Sequence, residues 1–407
     1  MFNLNLSPEL LKIAEKAEKL CAESFMRVDE TAFKNSEKVL RAFVDNKISS
    51  SHFNPTDGYG YNDMGREKAD MVFASVFGCE SAIVRHNFIS GTHAISTALF
   101  GVLRPGDLML SLTGSPYDTL KGVIYADKGG SLKEFGIKYK ELPFGSELSE
   151  HYDLIKSCKV AYIQRSRGYT LRDSLSIEET KKLIKRIREI NKNAVITVDN
   201  CYGEFCETEE PTEAGADLII GSLIKNPGGG IARTGGYIAG RKDYVELCAD
   251  RLSAVGIGME AGCTLGFTRE ILLGLFLAPE ITANALKVGI FASALFELLG
   301  YEVFPRYDEK RVDLPTAIKL GSREKLIAFC KAVQAASPID SFAVPEPWAM
   351  PGYDNDIIMA AGAFTMGSSI ELSADAPLRE PYAVWLQGGL TYPVGKIGVL
   401  NTAQSIF

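Results

Sequence analysis

The chain has 407 residues, 46% of them hydrophobic, with 51 acidic against 44 basic side chains and a formal net charge of -7. That is material for a large core and for more than one structural domain, and the acidic balance excludes a general nucleic-acid binder, whose affinity comes from clustered Lys and Arg. Eight cysteines without a CxxC pair, and four histidines without HExxH or clustered Cys/His spacing, read as reduced, buried thiols and no dedicated metal site.

The N-terminus lacks a basic region followed by an apolar signal core, and no window approaches the ~20 uninterrupted apolar residues of a membrane span. The expectation is a soluble, cytoplasmic protein with neither membrane nor nucleic acid among its partners. Residues 1–50 read as a separate helical segment. Ser7 can cap, Pro8 suits the first helical position, and Leu10, Ile13, Ala14, Ala17 and Leu20 recur at helical spacing. A second helical stretch runs from Thr31 to Asp45. Such stripes mark packing or subunit-contact faces.

Residues 51–278 alternate short apolar runs with helical patterns. "SAIVRHNFI", "DLMLSL", "KVAYIQ", "AVITVD" and "ADLIIGSLI" read as strands, and "SIEETKKLIKRIREIN" as an amphipathic helix. Continuous apolar strands separated by helices predict an α/β fold with a mostly parallel sheet buried on both faces. From residue 279, "PEITANALKVGIFASALFELLGYEVF" reads as a long helix opening a smaller αβ domain that occupies 279–407.

Open parallel sheets bind ligands beyond the carboxyl ends of their strands, and four polar features stand there in order. Ser90-Gly91-Thr92-His93 joins a strand to a helix and suits a phosphate, or is an ordinary cap. Tyr117 in "GSPYDTL" could lie over a planar heterocycle or pack on the sheet edge. Asp199 ends "AVITVD", where a carboxylate can pair with a ring nitrogen or cap the next turn. Ser222 and Lys225 lie in "GSLIKNPGGG". A lysine in a partly desolvated pocket has a depressed pKa and can form a Schiff base; otherwise Lys225 is a solvated loop charge. The cofactor whose chemistry uses all four together is pyridoxal 5'-phosphate.

Through these residues, and through "GYGYNDMGREKAD", "SGTHAI", "QRSRGY", "VDNCYGEF", "SLIKNPGGGIARTGGY" and "GSSIELSADAPLREPY", most of residues 50–400 resembles the fold type I pyridoxal-phosphate enzymes. The similarity is to the branch of cystathionine lyases, cystathionine synthases and methionine gamma-lyase, and within it to the aluminium-resistance subgroup. The resemblance implies a seven-stranded sheet between helices, with Lys225 as Schiff-base lysine, Asp199 as pyridine partner and Tyr117 as stacking ring. It has Gly91, Thr92 and Ser222, beside Ser90, hold the phosphate. It further implies a dimer of dimers in which Tyr59, Tyr61 or Arg66 reaches the neighbouring site. Arg379 pairs with the substrate carboxylate, helped by Arg165 and Arg167. Methionine gamma-lyases carry a cysteine where this chain has Thr119, so the methionine label does not transfer directly. The implied activity is a carbon-sulfur lyase on an amino-acid substrate; the alternatives are a transferase or synthase on the same cofactor, or a non-catalytic cofactor-binding protein.

Overall fold

The structure is a computed structural model and describes residues 6–407. Helix α1 (Pro8–Asp45) runs through both N-terminal stretches as one helix of 38 residues, because no Gly or Pro interrupts the chain between Glu9 and Asp45. Ser7 caps it by accepting the Leu10 N–H, with Pro8 in the first turn. Leu10, Ala14, Ala17, Cys21, Val28 and Val39 form its buried stripe, while Ile13 is half-buried and Leu20 exposed.

Helix α2 (Met64–Val76) precedes seven strands: β1 (Ser81–Arg85), β2 (Leu108–Ser111), β3 (Lys138–Glu141), β4 (Val160–Gln164), β5 (Val195–Asp199), β6 (Leu218–Ser222) and β7 (Gly236–Gly240). Their spatial order is β1-β7-β6-β5-β4-β2-β3. Strands β2 to β6 pair in parallel, and β7 runs against both β1 and β6. The connecting helices are α3 (Gly91–Val102), α4 (Asp118–Tyr125), α5 (Tyr152–Ser157) and α6 (Ile177–Ile190), with α7 (Lys242–Leu252) after the last strand. The mostly parallel α/β sheet predicted from the apolar runs is therefore present. Two strands carry no apolar run: β3 is the exposed, charged edge "KYKE", and β7 is "GYIAG", with glycine at both ends.

Helix α8 (Phe267–Leu298) starts twelve residues before Pro279, where the sequence places its beginning. Pro279 reads as a helix start but lies inside, where its missing N–H removes one hydrogen bond. The first half of α8 packs Ile271, Leu272 and Leu275 into the large-sheet core, and the second half packs Phe291, Leu295 and Phe296 into the C-terminal core. The boundary expected at 278/279 thus falls within one helix shared by both cores. Helix α8 is also long and apolar enough, by composition, to cross a membrane, and those two cores account for its apolarity. Beyond it, β8 (Glu302–Phe304), β9 (Thr316–Lys319), α9 (Arg323–Ala335), β10 (Ile357–Ala360), β11 (Ser373–Pro377), β12 (Ala383–Gln387) and α10 (Tyr392–Ile406) complete the chain. Their strands form an antiparallel sheet in the order β10-β11-β12-β9-β8.

Candidate active site

Parallel pairing in register sets Gln164 beside Asp199, and Asp199 beside Ile220 two residues before Ser222, at the carboxyl ends of β4, β5 and β6. A cleft opens there, lined by Ser90, Gly91, Thr92, Tyr117, Asp199, Ser222 and Lys225, all of which the sequence singled out.

At the amino end of α3 the Ser90 side chain takes the His93 N–H and its carbonyl takes that of Ala94. Neither uses the Gly91 and Thr92 N–H groups, so Ser90 is both a helix cap and a frame for an anion site. A Cβ on Gly91 would stand 3.3 Å from Ser222 Cβ and 3.4 Å from Cys201 Sγ, so the glycine lets three segments meet. The Ser222 hydroxyl is buried with no hydrogen-bond partner.

Tyr117 is held at both ends: its N–H donates to Gln164 Oε1 (2.9 Å) and its hydroxyl to Thr92 Oγ1 (2.9 Å). Thr92 in turn bonds Thr119 (3.1 Å), the threonine at the departure from the methionine gamma-lyase pattern. Burial, then the charge of Asp199, raises the Tyr117 pKa and keeps its proton in place. Asp199 is buried; its Oδ1 accepts the Cys201 N–H (3.1 Å) and its Oδ2 lies 3.4 Å from the Tyr162 hydroxyl. Burial pushes its pKa up, against the pull of Lys225 and these hydrogen bonds.

Lys225 is half-buried, its Nζ 3.8 Å from the centre of the Tyr202 ring. The sequence predicts a depressed pKa from desolvation. Burial does act in that direction, but Cys201, Tyr202, Asp199 and Tyr117 around it outweigh burial and raise the value. After Lys225 the chain turns through Asn226–Gly228, with Gly229 and Gly230 at φ 54° and 71°. That backbone conformation favours glycine.

The other predicted residues stand elsewhere. Along "QRSRGY", Gln164, Ser166 and Gly168 line the cleft, and the alternation turns Arg165 and Arg167 away from it. Arg165 is fully buried and braces the loop after Asp199, donating to Asn200 Oδ1 (2.8 Å), the Gly203 carbonyl (3.1 Å) and Glu207 (2.6 Å). Arg167 is buried near Ser174 and Asp313, with its Nε and Nη1 unpartnered. Arg379 is half-buried outside the cleft lining and reaches the Tyr169 carbonyl at 3.5 Å. Tyr59 and Tyr61 are exposed and stacked on each other, 5.7 Å between ring centres. Arg66 is buried, spending its guanidinium on the Gly60, Gly262 and Glu260 carbonyls of its own chain.

Sequence reasoning missed Tyr202, Tyr169, Tyr353, Trp385 and Gln387 in the lining. Tyr202 was within sight, three residues after Asp199 and at φ 71°, a left-handed conformation that a non-glycine residue keeps only when its surroundings hold it. Trp385 and Gln387 come from β12 of the second sheet, and no local pattern brings that sheet to the cleft.

The methionine gamma-lyase family model matches residues 10–407. The chain belongs to this family. The uncharacterised protein YnbB of Bacillus subtilis is 46% identical and covers 100% of this chain and 99% of its own length. A carbon-sulfur lyase involved in aluminium resistance from Clostridium novyi is 50% identical with a TM-score of 0.95, covering 99% of this chain and 97% of its own. The pyridoxal-5'-phosphate-dependent protein YhfS of Escherichia coli shares the fold alone, at 15% identity and a TM-score of 0.62, covering 94% of this chain and 96% of its own. The fold is thus that of fold type I pyridoxal-phosphate enzymes. Membership implies a lyase and pyridoxal 5'-phosphate as its cofactor.

Proposed function

We propose that the chain is a pyridoxal-5'-phosphate-dependent carbon-sulfur lyase. It acts on a sulfur-containing amino acid, cystathionine- or methionine-like, and releases a thiol, a 2-oxo acid and ammonia by β- or γ-elimination. The observation that carries this reading is the Ser222 hydroxyl, buried without a partner against the Gly91 helix end and three residues before Lys225. A buried polar group left unpaired is costly, and a phosphate would satisfy it.

The side chains fit that cofactor. Ser90, Gly91, Thr92 and Ser222 would hold its phosphate, Tyr117 its ring face, Asp199 its ring nitrogen, and Lys225 would be its covalent attachment point. When bound, the cofactor supplies an electron sink for negative charge at the substrate Cα. Asp199, oriented by the Cys201 N–H, holds the ring-nitrogen proton. The Lys225 amine, when free, takes the Cα proton, and water hydrolyses the enamine left by elimination to the 2-oxo acid and ammonia. Tyr117, protonated at rest, gives its proton to the leaving sulfur.

In the same reading the chain works as a dimer of dimers. Tyr59 and Tyr61 are its residues for the neighbour's site, since both are exposed while Arg66 is committed within its own chain.

The protein should be yellow when purified with its cofactor and, after borohydride, carry the reduced adduct at Lys225 by mass spectrometry; a colourless, unmodified protein would refute the reading. A screen of thioether and thiol amino acids for 2-oxo acid release, with Lys225→Ala as blank, identifies the substrate. Adding an external thiol separates elimination from replacement, since replacement gives a new thioether.

A further inference from the structure

Among the described residues, no arginine lines the cleft: Lys225 is its one cation, against the carboxylates Asp118 and Asp199. The second sheet supplies Trp385 and Gln387 to the lining, beside Tyr169 from the loop after β4. On the neighbouring strand β11, Asp375 pairs in register with Trp385, and Ser373 with Gln387, so the four side chains share one face.

The hydrogen bonds on this face fix what it can offer. Asp375 Oδ2 accepts the Tyr169 hydroxyl (3.0 Å) and Gln387 Nε2 (3.0 Å). With its one proton committed, Tyr169 has only lone pairs to offer, while Gln387 keeps its carbonyl oxygen and the second N–H of its amide. Trp385 Nε1–H is the opposite case, a buried donor without an acceptor, and the Ser373 hydroxyl is likewise buried and unpartnered. Ser373 lies outside the lining, so the wall sets one orphan donor, Trp385, beside the Tyr169 and Gln387 acceptors, with a carboxylate one hydrogen bond behind.

A free carboxylate is a poor match. It is anionic and only accepts, so it could take the Trp385 and Gln387 N–H groups but would face the Tyr169 lone pairs and the Asp375 carboxylate with no arginine to pair it. A carboxamide offers a carbonyl oxygen to the indole N–H and its own N–H to the acceptors. We propose that this wall is a carboxamide subsite, so that the sulfur amino acid enters with its carboxyl group carried as an amide or peptide bond and leaves as the 2-oxo amide in place of the 2-oxo acid, and that Trp385 is the specificity-determining donor. The inference rests on the lyase reading above.

The test compares S-ethylcysteine, its amide and its methyl ester as substrates of the cofactor-loaded enzyme. The ester controls for the altered amine basicity and lacks the amide N–H. Alanine and alaninamide, which have no sulfur to eliminate, serve as binding probes through the change in the cofactor's visible absorbance. The amide should exceed both acid and ester in kcat/KM by about tenfold or more, and alaninamide should bind more tightly than alanine. Trp385→Phe keeps the ring against Tyr169 and should raise KM for the amide by about tenfold with kcat little changed. Asp375→Asn, which removes the carboxylate behind the wall, should shift preference toward the acid. A preference for the acid, or equal use of amide and ester, in yellow protein with Lys225 reducible overturns the subsite and leaves the lyase reading standing. A colourless protein overturns both.

Discussion

Gly228, in the turn after Lys225, and Gly274, in α8, meet backbone to backbone. A Cβ on Gly274 would collide with the Gly228 carbonyl oxygen, one on Gly228 with the Leu223 carbonyl, and one on Gly229 with the Gly274 carbonyl. The glycine run after the lysine is therefore a contact surface. It presses the lysine's turn onto the helix that both cores share. Gly274→Ala should push this turn outward, with an overpacking cost of about 1–3 kcal/mol. Thermal unfolding should show a lower midpoint, and titration should show weaker cofactor binding although residue 274 is absent from the cleft lining. Unchanged values for both would mean that the contact does not position Lys225.

Ser222 invites a substitution whose two effects have opposite signs. Its hydroxyl is buried and unpaired in the structure, so Ser222→Ala removes an unsatisfied group and should stabilise the cofactor-free protein by about 1 kcal/mol. The same change deletes a phosphate donor and should weaken cofactor binding about tenfold, equivalent to about 1.4 kcal/mol. Calorimetric unfolding without cofactor and a cofactor titration read the two effects separately. A loss of stability without cofactor would show that the hydroxyl is satisfied within the protein.

Glu204 is a buried carboxyl beneath the same strand. Its Oε1 accepts the Tyr237 hydroxyl (2.8 Å), its Oε2 has no partner, and a Cβ on Gly221 would strike it. Burial raises its pKa from the ordinary 4.5 to about 8, against the hydrogen bond from Tyr237. Below pH 4.5 folded and unfolded chains both hold the proton and the group costs nothing; as pH rises from 4.5 to about 8 only the unfolded chain releases it, and stability falls. Glu204→Gln should remove that loss, by an amount on the order of a few kcal/mol. The variant's unfolding midpoint should match the wild type near pH 4.5 and exceed it above about pH 8. A constant difference across that window would contradict the assignment.

The legibility of this fold and cleft in the sequence followed from how local each signal was. Lys225, Asp199, Ser222, Tyr117 and the Ser90–Thr92 turn could be read because each stands at a strand end or helix start, marked by its own apolar run or glycine. The arginines could not be placed that way. Whether Arg165 faces the cleft or its back depends on where the alternation after β4 falls, and its buried partners Asn200 and Glu207 lie more than thirty residues away. Strand β3 escaped because an exposed edge needs no apolar face, and Trp385 because a tertiary contact between sheets brings it to the cleft.

The proposed sharing of sites between chains makes a prediction that stability cannot mimic. If Tyr59 and Tyr61 serve the neighbour's cleft, a Lys225→Ala subunit still offers intact tyrosines, and a Tyr59→Ala/Tyr61→Ala subunit still offers an intact lysine. Each variant alone should be inactive or nearly so. In a mixed pair, one of the two sites then combines the good lysine with the good tyrosines. Random reassortment within a two-fold pair makes half the pairs mixed, so denaturing and refolding the variants together should restore about a quarter of wild-type activity. The exposed, stacked tyrosines fit such a role because changing them leaves their own subunit's core untouched. Activity of the mixture no greater than the average of the separate variants would place both tyrosines outside the neighbour's site.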